Sequence, residues 1–174
     1  MDFNLSEWRE PRKYNADEVD KVRKKYLTNT PKTDQKMEIY NASVAGNVEQ
    51  LKNIFEVKKY SPLEECSAAG YFWTALHYAA HYGFENVINY YLEYFERDPN
   101  KQSILNLQSN NGLPALFICL NSTVSVTKKK TVLENFVKYD AIDFQVCSMD
   151  NEDIYDICKK NGLLEFFMSI LRED

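Results

Sequence analysis

Residues 74–92 read TALHYAAHYGFENVINYYL, and two helical periods meet there at a glycine. Leu76, Ala79 and Ala80 fall on one side of a first helix, Gly83 breaks it, and Val87, Ile88, Tyr91 and Leu92 resume an apolar stripe. The stretch predicts a helix-turn-helix unit whose first, inner helix carries small residues, so that a neighbouring helix can approach closely. An aliphatic residue recurs at the head of further inner helices: Ile39, Leu76, Leu116 and Ile154 are spaced by 37, 40 and 38 residues. After each comes, in outline, a polar or aromatic residue, a small pair, a turn and a second apolar helix. The repeats so defined cover residues 37–69, 70–106, 107–144 and 145–174, and the fold class they predict is all-α, a stack of helix pairs of the α-solenoid kind.

The best of these units resembles the ankyrin repeat, whose signature includes T-P-L-H-x-A. Residues 74–83 give T-A-L-H-Y-A-A-H-Y-G, departing at Ala75 where proline is usual, and Phe84, Glu85, Asn86, Val87 and Ile88 continue the pattern. The other copies are degenerate but in phase. Residues 37–69 look like a capping repeat, Pro114, Ala115, Leu116, Phe117 and Cys119 follow the same frame, and Asp140-Ala141 stands where the family has Gly-Ala. Residues 131–139 are expected as the outer helix of the third repeat and 163–171 as that of the fourth. Every spacing exceeds the usual ~33 residues, and the excess falls at 57–69, 97–103 and 122–130. The resemblance implies inner helices lining a concave face, with hairpin or loop tips along one edge. Asn110-Asn111-Gly112 has the chemistry of such a tip, because Asn and Gly tolerate positive φ. A different α-solenoid without hairpins would keep the function and move the predicted surface.

Residues 1–36 form a separate extension. They carry nine Lys and Arg against seven Asp and Glu, so that of the overall net charge of −5, residues 37–174 hold −7. Asn15 followed by Glu18 resembles a capping box and predicts a short helix at about 16–27, with Val19, Val22, Tyr26 and Leu27 as its apolar side. Phe3, Leu5 and Trp8 have no periodic partner; they tuck against the domain, are disordered, or anchor the extension on another protein.

Chemistry is sparse. His77 and His81 share the four-residue spacing of paired zinc ligands, but Tyr78-Ala79 replaces the Glu-x of H-E-x-x-H and the chain has no third His. The ankyrin resemblance instead makes His77 a structural residue, bonding backbone groups between repeats alongside Thr74. Cys66, Cys119, Cys147 and Cys158 form no C-x-x-C pair and read as buried thiols of a reducing compartment. No phosphate-binding or nucleophile-elbow motif is present. Glu64-Glu65 and the acidic stretch 150–153 are expected to be solvated loop charge, and Lys128, Lys129 and Lys130 a loop that aids solubility or meets an acidic partner.

The expected function is therefore a non-enzymatic protein-protein interaction module without metal or cofactor. It is read as a small structural or adaptor subunit of a larger, cytoskeletal or ciliary assembly, and cytoplasmic, since the N-terminus resembles no leader and no apolar run reaches membrane-spanning length. Its acidic balance argues against nucleic acid; neither a membrane nor a small-molecule substrate is expected. The candidate partner-binding residues are Tyr71, Phe72, Trp73, Tyr78, His81, Tyr82, Leu113 and Ile118 on the concave and tip face, with Trp8 on the extension. A regulatory subunit or enzyme fragment with a His/Cys metal or thiol site is the alternative.

Overall fold

The structure is a computed structural model and describes residues 9–30 and 32–173. Its elements are helical: α1 (Ala16–Tyr26), α2 (Thr33–Val44), α3 (Val48–Lys52, continued by a π-helical turn Asn53–Val57), α4 (Ala75–Tyr82), α5 (Glu85–Tyr94), α6 (Lys101–Leu105), α7 (Ala115–Asn121), α8 (Val126–Lys138), α9 (Ile154–Lys160) and α10 (Leu164–Arg172). Among the described residues there is no β-strand, only an isolated parallel bridge between Thr28 and Glu64. The all-α expectation is met.

Local chemistry sets the helix ends. The Asn15 side chain accepts from the N–H groups of Asp17 and Glu18, and Arg23, Lys24 and Lys25 fill the last turn of α1, so acid stands at the positive end of the helix and base at the negative. At α4 the Thr74 N–H donates to His77 Nδ1 at 3.0 Å, and Gly83, at φ 74°, ends the helix in the left-handed conformation that glycine adopts without a Cβ penalty. Asp153 caps α9 by accepting from the Asp156 N–H, and the Asp156 carboxylate accepts from the Asp153 N–H in return.

Helices α2/α3, α4/α5, α7/α8 and α9/α10 pair with each other, and the pairs stack in chain order. One row runs α2–α4–α7–α9 and a second α3–α5–α8–α10, each helix touching its neighbours along the row. The small residues of α4 allow this: Ala75, Ala79 and Ala80 are buried between α2 and α7, together with Leu76. A continuous apolar core follows the rows from Ile39 and Leu51 through Leu76, Ile88, Leu116 and Leu133 to Ile154 and Phe167. Side chains pin successive connections together. Tyr91 Oη donates to Pro62 O at 2.6 Å, His77 Nε2 bonds Leu107 O at 2.8 Å, and Asn106 Nδ2 donates to Ala141 O at 2.8 Å.

The third outer helix differs from its expected range. α8 begins at Val126 because the Ser125 side chain accepts from the Lys128 N–H, which adds more than a turn ahead of 131. Lys128–Lys130 are thus helical and not a loop: Lys129 is buried, Lys128 Nζ donates to Gly83 O at 3.4 Å, and Lys130 lies over the Phe166 ring. Val22, expected on the buried side of α1, is exposed.

Candidate partner-binding face

Aromatic residues gather where α4 and the loop before it meet α2. Trp73 is the hub, with its ring centroid 4.9 Å from Tyr78, 5.8 Å from His81 and 6.0 Å from His77. Tyr40 on α2 meets Tyr78 edge-on at 5.3 Å, and His81, Tyr82 and Phe84 continue the series at 4.8 and 5.6 Å. Tyr71 and Tyr82 are about half exposed, at 54% and 48%. Ser67, Ala68, Tyr71, Trp73 and Tyr78 enclose an open groove of about 410 Å³. Burial, with Cys66, Tyr40 and Tyr82 nearby, pushes the Tyr78 phenol up to about 12, so it stays neutral and keeps its proton to donate. Rings held against one another in this way have little side-chain freedom left to lose, which is what makes aromatic surface effective in binding.

Of the expected site residues, the structure brings Tyr71, Trp73, Tyr78, His81 and Tyr82 together on this face. Phe72 is separated from them. Its backbone sits at φ 60°, its N–H donates to Glu65 Oε1 at 3.1 Å, and its ring is covered by the Arg23 guanidinium at 4.2 Å. Ile118 is buried, not exposed, because α7 lies between α4 and α9 and every residue from Ala115 to Leu120 is buried. Leu113 is half-buried against the core. Trp8, like Phe3 and Leu5, lies outside the described residues. Tyr40 and Phe84 belong to the cluster although sequence reasoning does not single them out; the signal for Tyr40 is its place directly after Ile39, as His77 follows Leu76, but α2 begins six residues earlier, at Thr33, so Ile39 lies mid-helix and not at the expected helix head.

The described part of the extension forms a strap along the connections between the pairs, in the reverse of chain order. Arg9 pairs with Asp153 at 2.7 Å and Asp156 at 2.9 Å and lies over the Tyr155 ring. The Tyr14 N–H donates to Asn151 Oδ1 at 2.8 Å. Further along, Arg23 donates from Nε to Gln108 O at 2.8 Å and from Nη2 to Ser109 O. Thr28 closes the run, its N–H donating to Leu63 O at 2.9 Å and its carbonyl accepting from the Glu65 N–H at 2.7 Å. The strap and the connections it crosses overturn two expectations of solvated acid. Glu64 and Glu65 are buried: Glu64 Oε1 accepts from the Thr30 N–H at 2.6 Å, and burial raises its carboxyl above the usual range. Asp153 is buried as well, as cap and as partner of Arg9; burial again raises its carboxyl.

The histidine pair is split. His77 is buried with both nitrogens engaged: Nε2 must donate to the Leu107 carbonyl, which leaves Nδ1 to accept from Thr74. Burial lowers it to about 4. His81 is exposed on the aromatic face. Among the described residues no three His, Cys, Asp or Glu side chains gather as metal ligands. All four cysteines are buried free thiols, pushed up by burial to about 12 for Cys66 and Cys158 and about 11 for Cys119 and Cys147, far from the thiolate that a nucleophile needs. No helix of the described residues is long and apolar enough to cross a membrane.

No protein-family model matches the sequence, and no curated protein is significantly similar to it. Among solved structures 26 chains are similar. One belongs to the crystal structure of the yeast ribosomal protein Rps3 in complex with its chaperone Yar1; it aligns at TM-score 0.62 and 22% identity over 83% of this chain and 96% of that one. The likeness establishes a shared fold.

Proposed function

We propose that the chain is an ankyrin-like repeat stack acting as a non-enzymatic protein-binding module, a subunit or adaptor of a larger assembly. The observation that carries this reading is the open aromatic face of Tyr40, Tyr71, Trp73, Tyr78, His81 and Tyr82, whose rings pack against one another and which, among the described residues, the strap does not cover. The T-A-L-H motif with its Thr74–His77 bond, the row-wise stacking of helix pairs and the turn at 109–112 support the ankyrin assignment. The solved complex of similar fold pairs a chaperone with its client, which favours protein as the ligand class here. It lends no support to a cytoskeletal or ciliary setting.

Crosslinking mass spectrometry on the native complex tests the reading. Crosslinks and protection are expected at residues 67–82, and the double variant Trp73→Ala/Tyr78→Ala is expected to lose partner capture while keeping its far-UV circular dichroism. Capture unchanged in that variant, with its fold intact, refutes the site.

A further inference from the structure

We infer that the groove between Tyr71, Trp73 and Tyr78 takes a guanidinium group, so that the partner segment it binds is an arginine-bearing basic stretch. This rests on the aromatic face being the partner site and goes on to name the chemistry of its occupant.

Ring faces carry a negative quadrupole and attract cations, most of all where water is partly excluded. The chain uses this property on its own rings. Arg9 covers Tyr155 at 5.4 Å, Arg23 covers Phe72 at 4.2 Å, Lys130 covers Phe166 at 5.2 Å and Lys52 covers Tyr90 at 5.7 Å. Among the described residues no Lys or Arg covers Tyr71, Trp73 or Tyr78, although all three line an open groove. The contrast is sharpest inside one tripeptide: Phe72 already holds a guanidinium, while Tyr71 and Trp73 on either side of it hold none.

Shape and charge agree. The groove of about 410 Å³ has small residues, Ser67 and Ala68, beside three rings, which leaves room for a flat group to slide against an aromatic face. A guanidinium is planar, delocalised and more weakly hydrated than an ammonium, and so stacks where a lysine would keep its water. No cation lines the groove to repel it. The whole chain, docked strap included, carries −5, and the buried acids Glu64 and Glu65 sit in the same loop, next to Cys66, whose N–H donates to Trp73 O at 2.9 Å. A basic segment is thus both steered to the domain and held at the rings.

The test uses the full chain with Trp8→Phe, which leaves Trp73 as the one remaining tryptophan of two. The probe is an acetylated, amidated Gly/Ser peptide bearing arginines, compared with the same peptide in which citrulline, a neutral isostere, replaces each arginine. The arginine peptide is expected to change Trp73 emission saturably and the citrulline peptide to bind at least about tenfold more weakly. Tyr71→Ala/Tyr78→Ala is expected to lower arginine-peptide affinity by a similar factor, and Tyr71→Phe/Tyr78→Phe to restore it, since the ring and not the hydroxyl makes the contact. Equal affinity of the two peptides, or binding of neither, overturns the guanidinium inference. If both bind equally and both are lost in the Ala variant, the face remains a protein site without charge selectivity; if the Ala variant leaves binding untouched, the face itself is wrong.

Discussion

The buried histidine makes a quantitative demand on how stability varies with pH. His77 binds a proton only below about pH 4 in the folded chain, against an ordinary value near 6.5, chiefly because burial disfavours its charged form; the Leu107 carbonyl offsets this in part and Arg23 adds to it. Between those values the unfolded chain holds the extra proton, so acid favours unfolding. The contribution of neutral His77 is complete above about pH 6.5, declines as pH falls through the window, and is constant below about 4. A depression of that size corresponds to about 3 kcal/mol. Glu64 and Asp153, with carboxyls raised by burial, act in the opposite sense, since stability they confer is lost as pH rises through their folded values. They are common to wild type and to a His77→Gln variant, so the difference between the two proteins isolates the histidine. At pH 7 the variant is expected to be less stable by about 1–3 kcal/mol, because the Leu107 carbonyl and the Thr74 N–H lose well-placed partners. Urea denaturation at pH 7, 6, 5 and 4 should show that penalty shrink by about 3 kcal/mol, until the variant equals or exceeds wild type. A penalty that moves by less than about 1 kcal/mol over the range refutes the reasoning, since even a tenfold difference in proton affinity between the folded and unfolded chain carries that much.

Three further outcomes follow from the geometry. Arg9→Ala strips Asp153 and Asp156 of their cation and should cost about 2 kcal/mol in urea denaturation, while limited proteolysis cuts the strap near residues 9–15 ahead of the body. Gly112→Ala should destabilise by about 1–3 kcal/mol more than Gly162→Ala: both glycines have φ near 70°, but a Cβ at 112 would lie 2.8 Å from Met149 N and from Tyr14 Cε2, whereas at 162 it meets nothing within 4 Å. Iodoacetamide at neutral pH should label none of the four thiols in native protein and all four in urea, as read by intact mass.

The helical rows are legible in the sequence because their signals are local. Apolar spacing around Gly83, the Asn15 cap and the recurring aliphatic residues Ile39, Leu76, Leu116 and Ile154 each depend on residues within a turn or two. What escapes reading depends on contacts far along the chain. Nothing near Phe72 announces that Arg23 will cover it, and nothing near Glu64 shows that the Thr30 N–H will bury it. Lys128–Lys130 read as a loop because the apolar spacing of Val132, Leu133 and Phe136 places the helix only from 131 and three like charges ahead of it carry no apolar period, although Ser125 already sets the cap. Ile118 misleads for another reason: a helix between two others buries all its faces, and a single-repeat pattern does not say how many neighbours a helix has.

The strap runs opposite to the direction of synthesis. Arg9 leaves a ribosome well before Asp156, to which it binds and which is 147 positions further on. At ordinary translation rates the wait is on the order of ten seconds. Throughout that interval the basic segment has only part of its track, and the Arg9 end gains its seat once α9 has formed against α7. A chain arrested before residue 153 would therefore trail a loose, arginine-bearing segment, open to proteases and to acidic surfaces, while one extended through α9 hides it. The docked strap is in this sense a mark of progress, written by late helices on a segment made long before them.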